Sequence, residues 1–156
     1  MRSFLGIDPG VSGGIVVITE GESPYYPATM GTYKMPDTLK DLLGQLRHCE
    51  SVEFALLEKV NPMPGEGVKS VATFARNVGH LEMALTASGI SWDYVMPNKW
   101  QAEFGLLRKD KTETRTKKKN RHKAVAQRLW PSINWTHAIA DAALIAEYGR
   151  RLRTKT

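Results

Sequence analysis

Two short apolar runs meet at a glycine-rich turn near the start of the chain. The first is Ser3-Phe4-Leu5-Gly6-Ile7-Asp8 and the second is Gly14-Ile15-Val16-Val17-Ile18-Thr19. Pro9-Gly10-Val11-Ser12-Gly13 lies between them. Runs of this length, rich in β-branched residues and bounded by Gly and Pro, read as strands. After them the pattern changes. Gly, Ser and two Pro mark residues 20–28 as a turn or loop. Residues 30–35 read as a third, edge strand. A helix of about ten residues opens at Pro36-Asp37, with Leu39, Leu42, Leu43 and Leu46 on one face.

Helix and strand then alternate. Residues 53–58 form a strand, Asn61–Gly67 is irregular, and 68–88 is a helix striped by Val71, Phe74, Ala75, Val78, Leu81 and Leu85. Ser91–Val95 reads as a short strand and Pro97 opens another helix. A helix through Ala124–Trp130 stops at Pro131, and a last one covers 136–151. Strands first, then alternation, predict a mixed α/β sheet with helices packed on it. At 156 residues this is one domain, 1–156.

No apolar run approaches membrane-spanning length. The chain enters a strand at once, so no signal peptide is expected and a cytoplasmic location is the simplest reading. Cys49 is the single cysteine, which excludes an internal disulfide framework and a self-sufficient zinc site. The net charge is +6, and its position is informative. Residues 108–123 hold nine Lys/Arg and two acids, which leaves thirteen basic and fourteen acidic residues elsewhere from totals of 22 and 16. The excess is one segment. It suggests a polyanionic partner, or else a solvated loop kept soluble by charge.

Three acids sit at the ends or in the middle of apolar stretches. Asp8 ends the first strand, Glu58 ends Phe54-Ala55-Leu56-Leu57-Glu58, and Asp141 interrupts His137-Ala138-Ile139-Ala140-Asp141-Ala142-Ala143-Leu144-Ile145. Carboxylates are costly to bury unless paired or bound to a cation. Converging, the three would form an oxygen cage suited to Mg²⁺. Each has a plainer reading: an Asp-Pro-Gly turn, a surface Glu capping a strand, and an Asp favoured by a helix dipole. His137 lies one helical turn before Asp141 and shares its face.

In order and spacing, GIDPG…LLEKV…MPGEG…HAIADAALIAEYGRR resembles the RuvC family of Holliday-junction resolvases, and its phage-type members above all. The resemblance implies a ribonuclease H-like fold, a mixed five-stranded sheet flanked by helices. It implies metal-dependent cutting of branched DNA in recombination and repair, in the cytoplasm of a bacterial host if the gene is a phage's. Asp8, Glu58 and Asp141 would then be the catalytic carboxylates holding Mg²⁺ or Mn²⁺. In a two-metal hydrolysis Asp8 bridges and the other two complete one site each. The loop 61–67, Pro64 included, would meet the junction centre. Lys111, Arg115, Lys117, Lys118, Lys119, Arg121 and Lys123 would contact phosphates. The family is dimeric, so a homodimer is expected, with Phe74 and Val78 of the 68–88 helix at its surface.

One position departs from the family. A second acid, or sometimes a histidine, usually stands about one turn before Asp141, where this chain has His137 and Ala138. Either His137 fills that role, as a Mn²⁺ ligand or as a base orienting water, or Ala138 replaces a carboxylate. Two other readings compete. A non-cleaving DNA-binding module could keep the fold. Asp8-Pro9-Gly10 followed by Gly13-Gly14 also resembles the phosphate loop of sugar kinases and actin-like ATPases, which need two such domains to close on a nucleotide.

Overall fold

The computed structural model describes residues 1–21, 28–49 and 51–154. Most of the loop expected over 20–28 lies outside the described residues. The elements follow the order β1 (Ser3–Asp8), β2 (Gly14–Thr19), β3 (Thr29–Lys34), α1 (Leu39–His48), β4 (Val52–Glu58), α2 (Val68–Ala87), β5 (Trp92–Val95), α3 (Pro97–Glu103), α4 (Arg115–Leu129) and α5 (His137–Thr154). They form the expected mixed five-stranded sheet, in the order β3-β2-β1-β4-β5. β1 runs antiparallel to β2 and parallel to β4, and β5 is parallel to β4. Among the described residues no helix is long and apolar enough to cross a membrane.

Strand side chains alternate between faces, and the core divides accordingly. Leu5, Ile7, Ile15, Ala55 and Leu57 point to one side and pack with Leu42 and Leu46 of α1 and Leu81 and Leu85 of α2. Val16, Ile18 and Leu56 point to the other, against α3, α4 and the alanine-rich face of α5. β1 is buried along its whole length, as a central strand covered on both faces must be.

Two helix starts differ from the expected ones. α1 begins after Pro36-Asp37, because the Thr38 side chain accepts from the Asp41 amide at 3.1 Å and caps the helix there. α4 begins within the basic segment. Thr114 caps it by accepting from the Lys117 amide at 3.2 Å, so Arg115–Lys123 is helix rather than a solvated loop.

α5 lies unusually close to β1. A Cβ added to Gly6 would stand 2.1 Å from the Ala142 carbonyl oxygen and 2.3 Å from the Ala146 amide. Both are backbone atoms that cannot step aside. Gly6 facing the alanines of α5 is therefore what lets the helix seat on the sheet.

Candidate active site

The register of the sheet builds the site. Ile7 pairs with Leu57 across the parallel β1–β4 ladder, so Asp8 and Glu58 are the next residues of neighbouring strands. By parity Asp8 shares the face of Gly6, and Glu58 that of Leu56, and both faces look toward α5. Asp141 immediately precedes the Ala142 that touches Gly6. The three carboxylates are thus gathered at the carboxyl ends of β1 and β4, where α/β sheets place their sites. All three are buried, at 9%, 7% and 4% exposure.

A cation already stands among them. The Lys119 ammonium from α4 ion-pairs with Asp141 Oδ2 and lies 3.6 Å from Asp8 Oδ2. Behind the carboxylates stand two further donors. Trp100 Nε1 of α3 donates to Glu58 Oε1 at 2.8 Å, and His122 Nδ1 of α4 lies 2.8 Å from Asp141 Oδ1. The two rings meet edge to face, with centroids 5.3 Å apart and planes at 78°. His122 Nε2 is buried with no hydrogen-bond partner among the described residues. An unsatisfied buried polar atom of this kind costs about 1–3 kcal/mol.

Burial pushes the Asp8 carboxyl well above its usual range; Lys119 opposes this, while Asp141 and Glu58 add to it. Glu58 is raised by burial too, against the Trp100 hydrogen bond. For Asp141 burial is outweighed by the His122 hydrogen bond and by Lys119, so its carboxyl is held below the usual range. Lys119 would be lowered by burial, but Asp8 and Asp141 raise it. Asp141 is therefore ionised at neutral pH and accepts, which places the shared proton on His122 Nδ1.

The donor chemistry fits a hard divalent cation: carboxylate oxygens, held together against their own repulsion, with an ammonium standing in for the positive charge. The present arrangement grips Lys119 instead. Among the described residues no three His, Cys, Asp or Glu side chains are set to hold a metal ion as they stand.

The site opens on a cleft of about 1090 Å³, bounded by Asp8 and the turn Pro9–Gly13, by Val60, Asn61, Pro62, Met63, Glu66 and Gly67 of the next loop, by the first turns of α2 and by Arg115, Lys118 and His137. Gly10 anchors the turn. It has φ +105°, and its amide donates to Asn77 Oδ1 of α2 at 2.7 Å.

The expected phosphate-contacting residues divide. Arg115, Lys118 and Lys119 line the cleft. Lys111, Lys117 and Pro64 are exposed outside its lining, and Lys123 is half-buried. Arg121 is engaged by Glu113 at 2.5 and 3.0 Å, which fastens the preceding loop to α4. Lys69 of α2 also lines the cleft and was not expected there.

His137 is the first residue of α5 and exposed. Its Nε2 lies 2.8 Å from Asn120 Oδ1 of α4, and the residue lines the same cleft as Asp8. Phe74 and Val78 are half-buried within their own molecule: Phe74 packs over Gly10, and Val78 against the core below the sheet. Lys119, His122 and Trp100 were not read from sequence as companions of the carboxylates. The available signal was the spacing of Lys119, His122 and Ala126, which share one helix face, two of them fully buried.

No protein-family model matches the chain, and no curated protein matches it in sequence. Solved structures do. Thermus thermophilus RuvC aligns over 97% of both chains at 16% identity with a TM-score of 0.59. The complex of T. thermophilus RuvC with a Holliday junction substrate aligns over 97% of both chains at 13% identity and 0.65. Fowlpox virus resolvase with Holliday junction DNA aligns over 97% of this chain and 99% of that one at 11% and 0.49. The fold is therefore RuvC-like, of the ribonuclease H type.

Proposed function

We propose that this protein is a divalent-metal-dependent endonuclease acting on branched DNA, four-way junctions included. One observation carries the reading: three buried carboxylates from β1, β4 and α5 converge, two of them pairing with the Lys119 ammonium, where Asp8 and Lys119 meet a cleft with a basic rim. Solvent-facing chemistry on a neutral small molecule would not need that convergence. The likeness to a RuvC bound to a Holliday junction supports the substrate class.

Asp8, Glu58 and Asp141 would hold Mg²⁺ or Mn²⁺. Such an ion, when bound, makes a water nucleophilic at neutral pH and offsets the charge of the phosphate. The chain's own residues do the rest. Arg115 and Lys118 on the cleft wall position the backbone electrostatically, without reading bases. The loop of Val60–Gly67 borders the same cleft, with Met63 exposed. Lys119, already charged and in the site, is placed to meet a phosphate oxygen once it leaves Asp8. A two-fold junction calls for two such sites, so the reading includes a homodimer. The exposed flank of α2, with Val68 and Met83, is the surface it would use.

A second reading keeps DNA binding without cleavage. Lys119 among the carboxylates and Ala138 in place of a fourth acid favour it. One experiment separates the two. Labelled four-way junctions, flaps and linear duplexes are incubated with the protein in Mg²⁺ or Mn²⁺. Nicks in the branched DNAs alone, abolished by Asp8→Asn with junction binding intact or tighter, support the nuclease. Binding with no cleavage in either ion supports the module. Absence of junction binding overturns both.

A further inference from the structure

We infer that Trp100 and His122 are positioning residues, which fix Glu58 and Asp141 by one oxygen each and leave the other oxygen of each carboxylate for a cation. The inference rests on the proposed reading, since it concerns the same metal-holding carboxylates.

A carboxylate turns easily about its last torsion, which has broad and shallow preferences. A ligand set needs that rotation stopped, and the usual means is a hydrogen bond from behind. Here the two means come from different helices. Trp100 of α3 takes Glu58 Oε1, and His122 of α4 takes Asp141 Oδ1, both at 2.8 Å. Trp100 is 0% and His122 1% exposed, so water does not compete for either bond. Asp141 Oδ2 is left forward, where it takes Lys119.

The rings brace each other through their edge-to-face contact. Neither donor can be moved without disturbing the other, so the orientation of one carboxylate is tied to that of its partner. The orphaned Nε2 fits this role. A histidine placed only for stability would find a use for both nitrogens, or give way to an apolar residue. This one leaves Nε2 unsatisfied so that Nδ1 can face Asp141.

The test reads metal binding without DNA. Mn²⁺ is titrated calorimetrically into the wild-type protein and into Trp100→Phe, His122→Leu and His122→Asn, each checked for folding by circular dichroism. Trp100→Phe keeps the ring and loses the donor. His122→Asn keeps a donor near the position of Nδ1. Trp100→Phe and His122→Leu should weaken Mn²⁺ binding about 10–100-fold, and His122→Asn should restore most of the loss. Folded Trp100→Phe and His122→Leu proteins with wild-type affinity overturn the inference and leave the nuclease reading standing. Equal loss in His122→Asn and His122→Leu reduces His122 to packing and overturns its half. A wild-type protein that takes up no Mn²⁺, with or without a junction, overturns the metal-dependent reading first, and the inference with it.

Discussion

Replacing Lys119 by Met removes the cation that the carboxylates hold. The geometry sets the size of the effect. Lys119 is 25% exposed at its side chain, against 12% for Asp8 and 5% for Asp141. Unit charges about 4 Å apart interact by about 4 kcal/mol at an effective dielectric of 20. Losing one partner of a buried pair costs about 3–5 kcal/mol. Lys119 keeps a quarter of its surface in water, so the lower end applies, about 3 kcal/mol at neutral pH without divalent ions. For a chain of this size that lowers the melting temperature by about 6–12 °C.

Two features distinguish this from a general packing loss. The first is pH. Asp8 already binds its proton more tightly folded than unfolded, because burial raises it. A carboxyl raised in the folded state favours folding as pH falls, since the folded state then holds the extra proton. The deficit of Lys119→Met should therefore shrink as pH is lowered from neutral into the raised Asp8 range. The second is metal. An ion at a hundredfold its dissociation constant stabilises by about 2.7 kcal/mol. In the wild type the ion must first displace Lys119, so its increment in melting temperature should be smaller than in Lys119→Met. Scanning calorimetry across pH, with and without Mn²⁺, measures all of this. A deficit independent of pH together with equal metal increments would refute the counter-ion role of Lys119.

Four further outcomes are expected. Gly6→Ala should lose about 3 kcal/mol in urea denaturation, at the upper end of overpacking, because the backbone of α5 has nowhere to go; a loss below about 1 kcal/mol would contradict the close approach of helix and strand. Replacing Arg115, Lys117 and Lys118 by Ala should weaken all DNAs alike and lower the salt slope by about one for each phosphate no longer neutralised. In the same titration Arg121→Ala should leave the slope unchanged while lowering stability, since Glu113 holds its guanidinium. His137→Ala should leave the ratio of Mn²⁺- to Mg²⁺-supported cleavage unchanged, because its ring is turned to Asn120; a collapse of Mn²⁺ activity alone would return His137 to the metal.

Much of this architecture was legible in the sequence because its signals are local. Apolar runs bounded by Gly and Pro located the five strands within a residue or two, and an acid at the end of two of them marked one edge of the sheet. The companions of those acids were not legible. Arg115-Thr116-Lys117-Lys118-Lys119-Asn120-Arg121-His122-Lys123 reads as uniformly polar, and only the spacing of Lys119 and His122 to Ala126, a single apolar residue, hints that they turn inward while Lys117 turns out. That choice is made by α5, against which α4 packs. Trp100 is equally mute, since its partner lies 42 residues away. His137 shows a different limit of spacing. Its spacing from Asp141 is correct for a shared helix face, but as the first residue of α5 its side chain is free to leave for a neighbouring helix.

The bond from Gly10 to Asn77 lies beside the Phe74 ring, and together they fasten the turn to α2. On one side is the turn that follows Asp8; on the other is the long helix whose outer flank is exposed. Sliding that helix along its axis would draw the Gly10 amide with it and reshape the peptide bonds next to the first carboxylate. A body resting on the flank would thus be felt at the cleft through that amide and the ring beside it, and Asn77→Ala, which removes the hydrogen bond, would loosen the link between the flank and Asp8.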